Sequence, residues 1–360
     1  MLRKIFLIII IVVIVAIGLF LNKNMHLFPI IYELIFTEDI VLKKSMNKVN
    51  ILLLGSAGGV HDGPNLTDSI IFVSLNSDTQ TATLASIPRD LWIADLKQKI
   101  NTAYTIGESE KKNGGLLFAK AVVSRVIGQE IDYSLRIDFN GFIKAIDLIG
   151  GLDVNIENAF DDFEYPIEEN RENLCDHSLE EATNLLILLP PVDVFPCRYK
   201  KIHFNKGILH MNGAMALTYV RSRHAIGIEG SDFARSNRQL KIITAFKDKI
   251  FSSETILSPT KIVRLYSLIK ESIDTDIDQS EFADFIKLAN EMRKAKIRSF
   301  VIDYSDEKHN GLLINPPISK YGQWVLIPRL GEDNFIEINS YISCIISGKI
   351  CLIPPIYEKH

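Results

Sequence analysis

The 360-residue chain has no excess of positive charge; its formal net charge is −4 at pH 7. Bulk attraction to a nucleic-acid backbone is therefore not expected, and any anion site must come from a local cluster of Arg or Lys. No Walker pattern is present, so Gly58-Gly59 and Gly63-Pro64 read as a loop and not as a nucleotide cradle. The four cysteines have no zinc spacing. No internal repeat and no low-complexity linker interrupts the chain, which leaves a packed globular body as the expectation.

What is present supports that expectation. With 47% hydrophobic and 23% charged residues the chain can bury a sizeable core. One long apolar run stands out, Ile5 to Leu21, preceded by Arg3 and Lys4. Seventeen residues at about 1.5 Å each reach roughly 25 Å, a short span of a bilayer core. The run is longer than a signal-peptide core and no small-x-small cleavage site follows it, so it reads as an uncleaved transmembrane signal anchor over residues 1–22, a cleaved signal being the alternative. The positive residues before it put the N-terminus in the cytoplasm and the body outside. Residues 23–48 form a juxtamembrane stretch with helical apolar spacing (Leu27, Ile30, Ile31, Leu34, Ile35).

An exported body suits the cysteines. Cys344 and Cys351 flank Ser347-Gly348, which as a two-residue turn would set them opposite each other on a hairpin. Cys175 and Cys197 lie at the two ends of a segment that a disulfide would staple; free, buried thiols are the alternative for both pairs. The globular part begins near Val49. Strands are expected at Ile51–Gly55, Ser69–Leu75, Thr81–Ile87, Tyr133–Ile137, Leu152–Ile156 and Arg298–Asp303. Helices are expected at Gly115–Gly128, Phe139–Ile149, Gly213–Arg221, Asp232–Phe251, Pro259–Lys270 and Ser280–Lys294. Strands and helices mixed along one chain predict an α/β layered domain over residues 49–296. Residues 161–200 break the pattern as an insertion, and residues 297–360 read as a C-terminal extension that carries little chemical signal.

Three segments carry chemistry. Asn65-Leu66-Thr67-Asp68-Ser69 sets Asp68 at the mouth of a buried strand. In Ser86-Ile87-Pro88-Arg89-Asp90 the proline ends a strand, so Arg89 leaves the sheet at its C-terminal edge, where ligands of open α/β sheets collect. Arg221, Arg223, Arg235 and Arg238 fall within eighteen residues. Guanidinium groups match pyrophosphate oxygens with two-pronged donors. Arg235 and Arg238, three apart near a helix start, are expected to share a face, although such pairs are commonly solvated surface. Arg221 and Arg223 serve one pocket only if the chain turns between them. A carboxylate beside phosphate makes sense as a ligand of a shared divalent cation or as a proton acceptor, so an Arg cluster with Asp68 reads as metal-assisted phosphoryl transfer.

In order and spacing these segments resemble the LytR–CpsA–Psr family, also called the cell envelope-related transcriptional attenuator domain, from about Ile51 to Ile250. The resemblance is carried by Thr67-Asp68-Ser69, Ser86–Asp90, Lys99–Tyr104, Ile131-Asp132-Tyr133, Gly150–Val154, Tyr219–His224, Asp232–Arg235 and Arg238-Gln239. It implies an α/β/α three-layer sandwich on a central mixed sheet, behind one N-terminal transmembrane helix. It also implies a phosphotransferase that takes a polyprenyl-pyrophosphate-linked glycan in a hydrophobic pocket and passes the phosphate-linked glycan to peptidoglycan. By the same resemblance Arg89, Arg221, Arg223 and Arg235 hold the pyrophosphate, Gln239 adds a head-group contact, and Asp68 helps place Mg2+. Two positions depart from the family pattern: Ala57 stands where an Asp is usual, and Leu66 where an Arg is usual. Asp62 is the candidate to supply the missing carboxylate from a shifted position. A non-catalytic envelope module that binds the carrier or wall glycan is the competing reading. Transcriptional regulation is set aside: the charge is acidic, the body is expected outside, and no helix-turn-helix with a basic face is apparent.

Overall fold

The structure is a computed structural model; it describes residues 37, 39–59, 63–252, 259–305 and 310–354. The run Ile5–Leu21, the helical spacing Leu27–Ile35 and Asp62 lie outside the described residues. Among the described residues no helix is long and apolar enough to cross a membrane.

The strands that matter are β1 (Val49–Ser56), β2 (Thr67–Asn76), β3 (Thr81–Ser86), β4 (Tyr133–Asp138), β5 (Leu152–Ile156), β6 (Phe160–Pro166), β7 (Tyr199–Phe204), β8 (Gly207–Met211), β9 (Ile273–Thr275) and β10 (Lys296–Val301). The helices are α1 (Ala103–Glu110), α2 (Gly115–Ile127), α3 (Phe139–Ile149), α4 (Leu179–Leu185), α5 (Pro191–Val194), α6 (Gly213–Arg221), α7 (Asp232–Ile250), α8 (Pro259–Ser272), α9 (Phe282–Glu291) and α10 (Ile336–Ile346). Six strands form a mixed sheet in the order β9-β4-β1-β2-β3-β10. β1 pairs antiparallel with β2 and parallel with β4, and β3 pairs parallel with β10.

Alternation along the strands gives the sheet two apolar faces. Leu52, Leu54, Ile70 and Phe72 point to one side, against α1, α2 and α10. Val49, Ile51, Ile71 and Val73 point to the other, against Leu240 of α7 and Leu288 of α9. Burying a side chain such as Phe72 contributes about 1.5–3 kcal/mol, so the layers are held by a few dozen such terms. A third core joins α3, β5, β6, β7, β8, α6 and α7 around Phe160, Phe204 and Tyr219.

Several expectations need correction. β10 begins at Lys296 and is the edge strand of the central sheet, and Ile338, Ile342 and Ile346 of α10 pack in the first core, so the boundary at 296 runs along a strand. Cys344 and Cys351 are disulfide-bonded, but not across a hairpin. Cys344 lies in the last turn of α10, and Gly348 follows with a φ of 80°. Ile338, Ile342 and Ile346 are buried at i, i+4 and i+8, a helical spacing, so the segment before Ser347-Gly348 is a helix and not the first arm of a hairpin. The insertion is narrower than expected. β6 and β7 pair with each other and belong to the body, so the excursion runs from Ile167 to Arg198. It holds α4, α5 and the disulfide Cys175–Cys197, with a small core of Ala182, Val194 and Phe195.

Candidate anion-binding active site

β1 ends where antiparallel β2 begins, with Ser56 opposite Thr67, and this places Asp68 at one edge of the sheet. β3 ends at the same edge, and three residues on comes Arg89. The two side chains are ion-paired through Arg89 Nη1 and Asp68 Oδ1. Arg89 also reaches Asp90, which in turn takes Lys99 at 2.7 Å. Burial works to lower the Arg89 pKa; Asp68, Asp90 and Asp232 outweigh it and raise the value. Arg89 and Asp90 thus form an ion pair at the end of the strand, but it does not consume the guanidinium.

The chain does turn between Arg221 and Arg223. α6 starts on an Asn212 cap and ends at Arg221, where Ser222 takes an extended ψ of 130°. The turn is held by Asp162, a buried carboxylate that accepts from Ser222 Oγ at 2.7 Å and from the backbone N–H of Arg223 and His224. Both arginines consequently line one cavity of about 500 Å³ with Asp68, Arg89, Arg235 and Gln239. Arg221 stacks 4.5 Å over the ring of Phe139 and pairs with Glu168 of the insertion.

α7 starts on a Ser231 cap, and Arg235 and Gln239, four apart, present one face to the cavity. Arg235 is 7% exposed. Its nearest carboxylate is Asp232, 3.3 Å away and shared with Arg223 at 3.6 Å, while its own Nε is buried without a hydrogen-bond partner. Burial, with repulsion from Arg89 and Arg223, pulls its pKa down to about 10. A buried cation so poorly paired could take up an anion at lower cost than a satisfied one.

Arg238 is not part of that site, contrary to expectation. It lies about 60° round α7 from Arg235, is almost fully buried, and donates to the carbonyls of Tyr219, Ser222 and Glu229 and to the Glu229 carboxylate. It thereby satisfies the open end of α6 and fixes the turn that carries Arg221 and Arg223. Asp162 and Glu168 were missed because they fall in the segment read as an insertion. Asp162 follows Phe160 in strand alternation, and an acidic residue at an inward position was the available signal.

From the same edge a narrower cleft of about 40 Å³ runs between β2, β3, β10 and the start of α7. It shares Arg89 and Arg235 with the larger cavity and is lined by Ile70, Ile87, Phe233 and Trp324. The basic edge and the apolar cleft are thus contiguous.

Residues 33–320 match the model of the LytR_cpsA_psr family. The chain belongs to that family. Among LytR_cpsA_psr relatives, the polyisoprenyl-teichoic acid–peptidoglycan teichoic acid transferase TagV of Bacillus subtilis (strain 168) is 27% identical over 246 residues, 67% of this chain and 52% of the relative. A transferase of the same description, TagU of Bacillus cereus (strain ATCC 14579), is 27% identical over 256 residues, 70% of this chain and 67% of the relative. The chain thus spans about half the length of the first and about two thirds of the second. The crystal structure of B. subtilis TagV superposes with a TM-score of 0.53 at 24% identity, over 83% of this chain and 97% of that one. A structure of TagT bound to LIIa-WTA gives 0.52 at 18%, over 85% and 96%. At these identities the superpositions establish a shared α/β fold.

Proposed function

We propose that this LytR_cpsA_psr chain is an extracytoplasmic transferase that moves a phosphate-linked glycopolymer from a polyprenyl-pyrophosphate carrier to peptidoglycan, anchored by Ile5–Leu21 with its N-terminus in the cytoplasm. One observation carries the reading: the buried, unpaired Nε of Arg235 lies at a cavity that also collects Arg89, Arg221 and Arg223. The names of the relatives support the same class of reaction.

An acceptor sugar hydroxyl attacks the phosphorus that bears the glycan. The new sugar–oxygen–phosphorus bond forms as the bridging P–O bond of the pyrophosphate breaks, polyprenyl phosphate leaves with the electron pair, and the hydroxyl proton passes through water to the departing phosphate. Arg89 and Arg235 neutralise the leaving phosphate, and Arg221 and Arg223 hold the phosphate in transfer; such preorganised charge is the main source of rate in phosphoryl transfer. Asp68 is half-buried beside Arg89, and its Oδ2 accepts no hydrogen bond among the described residues. One such carboxylate with donor phosphates fits Mg2+, which keeps several of its waters; the ion would supply further neutralisation of the phosphate oxygens. Loading the carrier requires the 40 Å³ cleft to open, since it holds only a few carbons as it stands.

The test is release of polyprenyl phosphate by the membrane-reconstituted chain supplied with carrier-linked glycan, peptidoglycan and Mg2+. Release that stops with chelator and falls in Asp68→Asn is expected; equal rates for Arg89→Ala and the parent chain would contradict the assignment. Ala57 lines the cavity where the family pattern has a carboxylate, which favours the second reading, carrier binding without turnover. Tight carrier binding with no release selects it.

A further inference from the structure

The excursion from Ile167 to Arg198 has an apex with an unusual surface. Leu186, Ile187, Leu188 and Leu189 are consecutive and all exposed, Ile187 at 77% and Leu188 at 81%. Pro190 and Pro191 follow, also exposed. The small core of the excursion leaves these four side chains out, although burying them would be favourable in water.

The N–H groups of the apex are bonded within the excursion, while the carbonyls of Leu186 to Leu189 accept no hydrogen bond among the described residues. The N–H groups of Leu186, Ile187, Leu188 and Leu189 donate to Ala182, Asn184, Leu185 and Leu185 respectively, and the two prolines have none to donate. The carbonyls of Pro190 and Pro191 accept from Asp193, Val194 and Phe195. With its N–H groups bonded and the carbonyls of Leu186 to Leu189 left for water or head groups, the tip suits the interfacial layer of a bilayer and not its core. A protein partner that binds by strand addition would find no free backbone N–H between Leu186 and Pro191.

The base of the excursion faces the anion cavity. Ile167, Glu168, Arg171 and Arg198 line it, and the disulfide Cys175–Cys197 ties the segment to that base. Seven acidic and two basic residues lie between Ile167 and Arg198, so attraction to anionic head groups is not what the tip offers.

We propose that the Leu186–Pro191 apex is a membrane-dipping tip that enters the hydrocarbon edge of the bilayer and holds the anion cavity at the head-group level. The inference takes from the preceding reading that the donor is embedded in the bilayer. Exposed Leu186–Leu189, the bonded backbone N–H groups and the apolar run Ile5–Leu21 of the same chain all fit that one occupant.

The test uses the whole chain carrying Leu188→Trp, reconstituted in phosphatidylcholine vesicles, with the signal of Trp92 and Trp324 taken from the parent chain. Expected are a shift of the new emission to shorter wavelength, quenching by lipids brominated on their acyl chains, and protection from aqueous iodide. Quenching by iodide would overturn the proposal, and so would protection from both quenchers, which would mean that protein covers the tip. In a second arm, the chain with Ile187→Asp and Leu188→Asp is expected to lose transfer from a long-chain donor in vesicles and to keep transfer from a water-soluble short-prenyl donor. Equal loss with both donors would also overturn it. If neither donor supports transfer even in the parent chain, the transferase reading has failed and the quenching result decides the tip alone.

Discussion

Arg235→Met is expected to lower glycan transfer roughly 100-fold or more while raising thermal stability, the two effects having one cause. Arg235 is a buried cation whose Nε has no partner and whose pKa is drawn down to about 10. Both folded and unfolded chains are protonated there at pH 7, and burial charges the folded state for the ion. The cost is relieved only as pH rises above about 10, where the folded state gives up its proton before the unfolded one does. Methionine removes the charge and keeps the volume, so the folded state should gain roughly 1–3 kcal/mol. The measurement is a melting curve near neutral pH beside a rate of polyprenyl phosphate release. A variant that is both slow and less stable would show that Arg235 is already satisfied in the free protein.

Arg238→Met is expected to do the opposite to stability, although the two arginines are three residues apart on one helix. Each nitrogen of Arg238 donates, to Tyr219, Ser222 and Glu229. Its removal strands the buried carbonyls of Tyr219 and Ser222 and the partly buried carbonyl and carboxylate of Glu229, a loss of about 3–5 kcal/mol. The order of events on denaturant titration is the check: Arg238→Met should unfold well before the parent chain and Arg235→Met after it. Melting of Arg238→Met at the parent midpoint would mean that the end of α6 finds other donors. Because Arg238 sets the turn that presents Arg221 and Arg223, any folded fraction should also bind the donor weakly, which a purely global effect would not produce.

That contrast marks where the sequence was legible. Periodicity located the central strands and the long helices because burial on one side or both dictates it, as in Leu52, Leu54 and Phe72 against Ile51 and Val73. The convergence of Asp68 and Arg89 was legible because strand ends and a proline fix where the chain leaves the sheet. Spacing alone did not separate Arg235 from Arg238. A rotation of 60° on a helix decides between a cavity and a core, and the deciding partners, Tyr219 and Glu229, lie in other elements. The Cys344–Cys351 segment misled for a local reason: Ser347-Gly348 reads equally as a two-residue turn or as the end of a helix, and Ile338, Ile342 and Ile346, pinned to a neighbouring helix by packing, decide for the helix. Asp162 shows a third limit, since its role as acceptor for Ser222, Arg223 and His224 exists only after β6 and α6 meet.

The most direct measurement is a structure of the chain with polyprenyl pyrophosphate bound. The account expects the diphosphate between Arg89 and Arg235, with Arg221 and Arg223 on the phosphate that would carry the glycan and the prenyl chain in an opened cleft beside Phe233 and Trp324. A diphosphate bound elsewhere, with the Nε of Arg235 still alone, would contradict it.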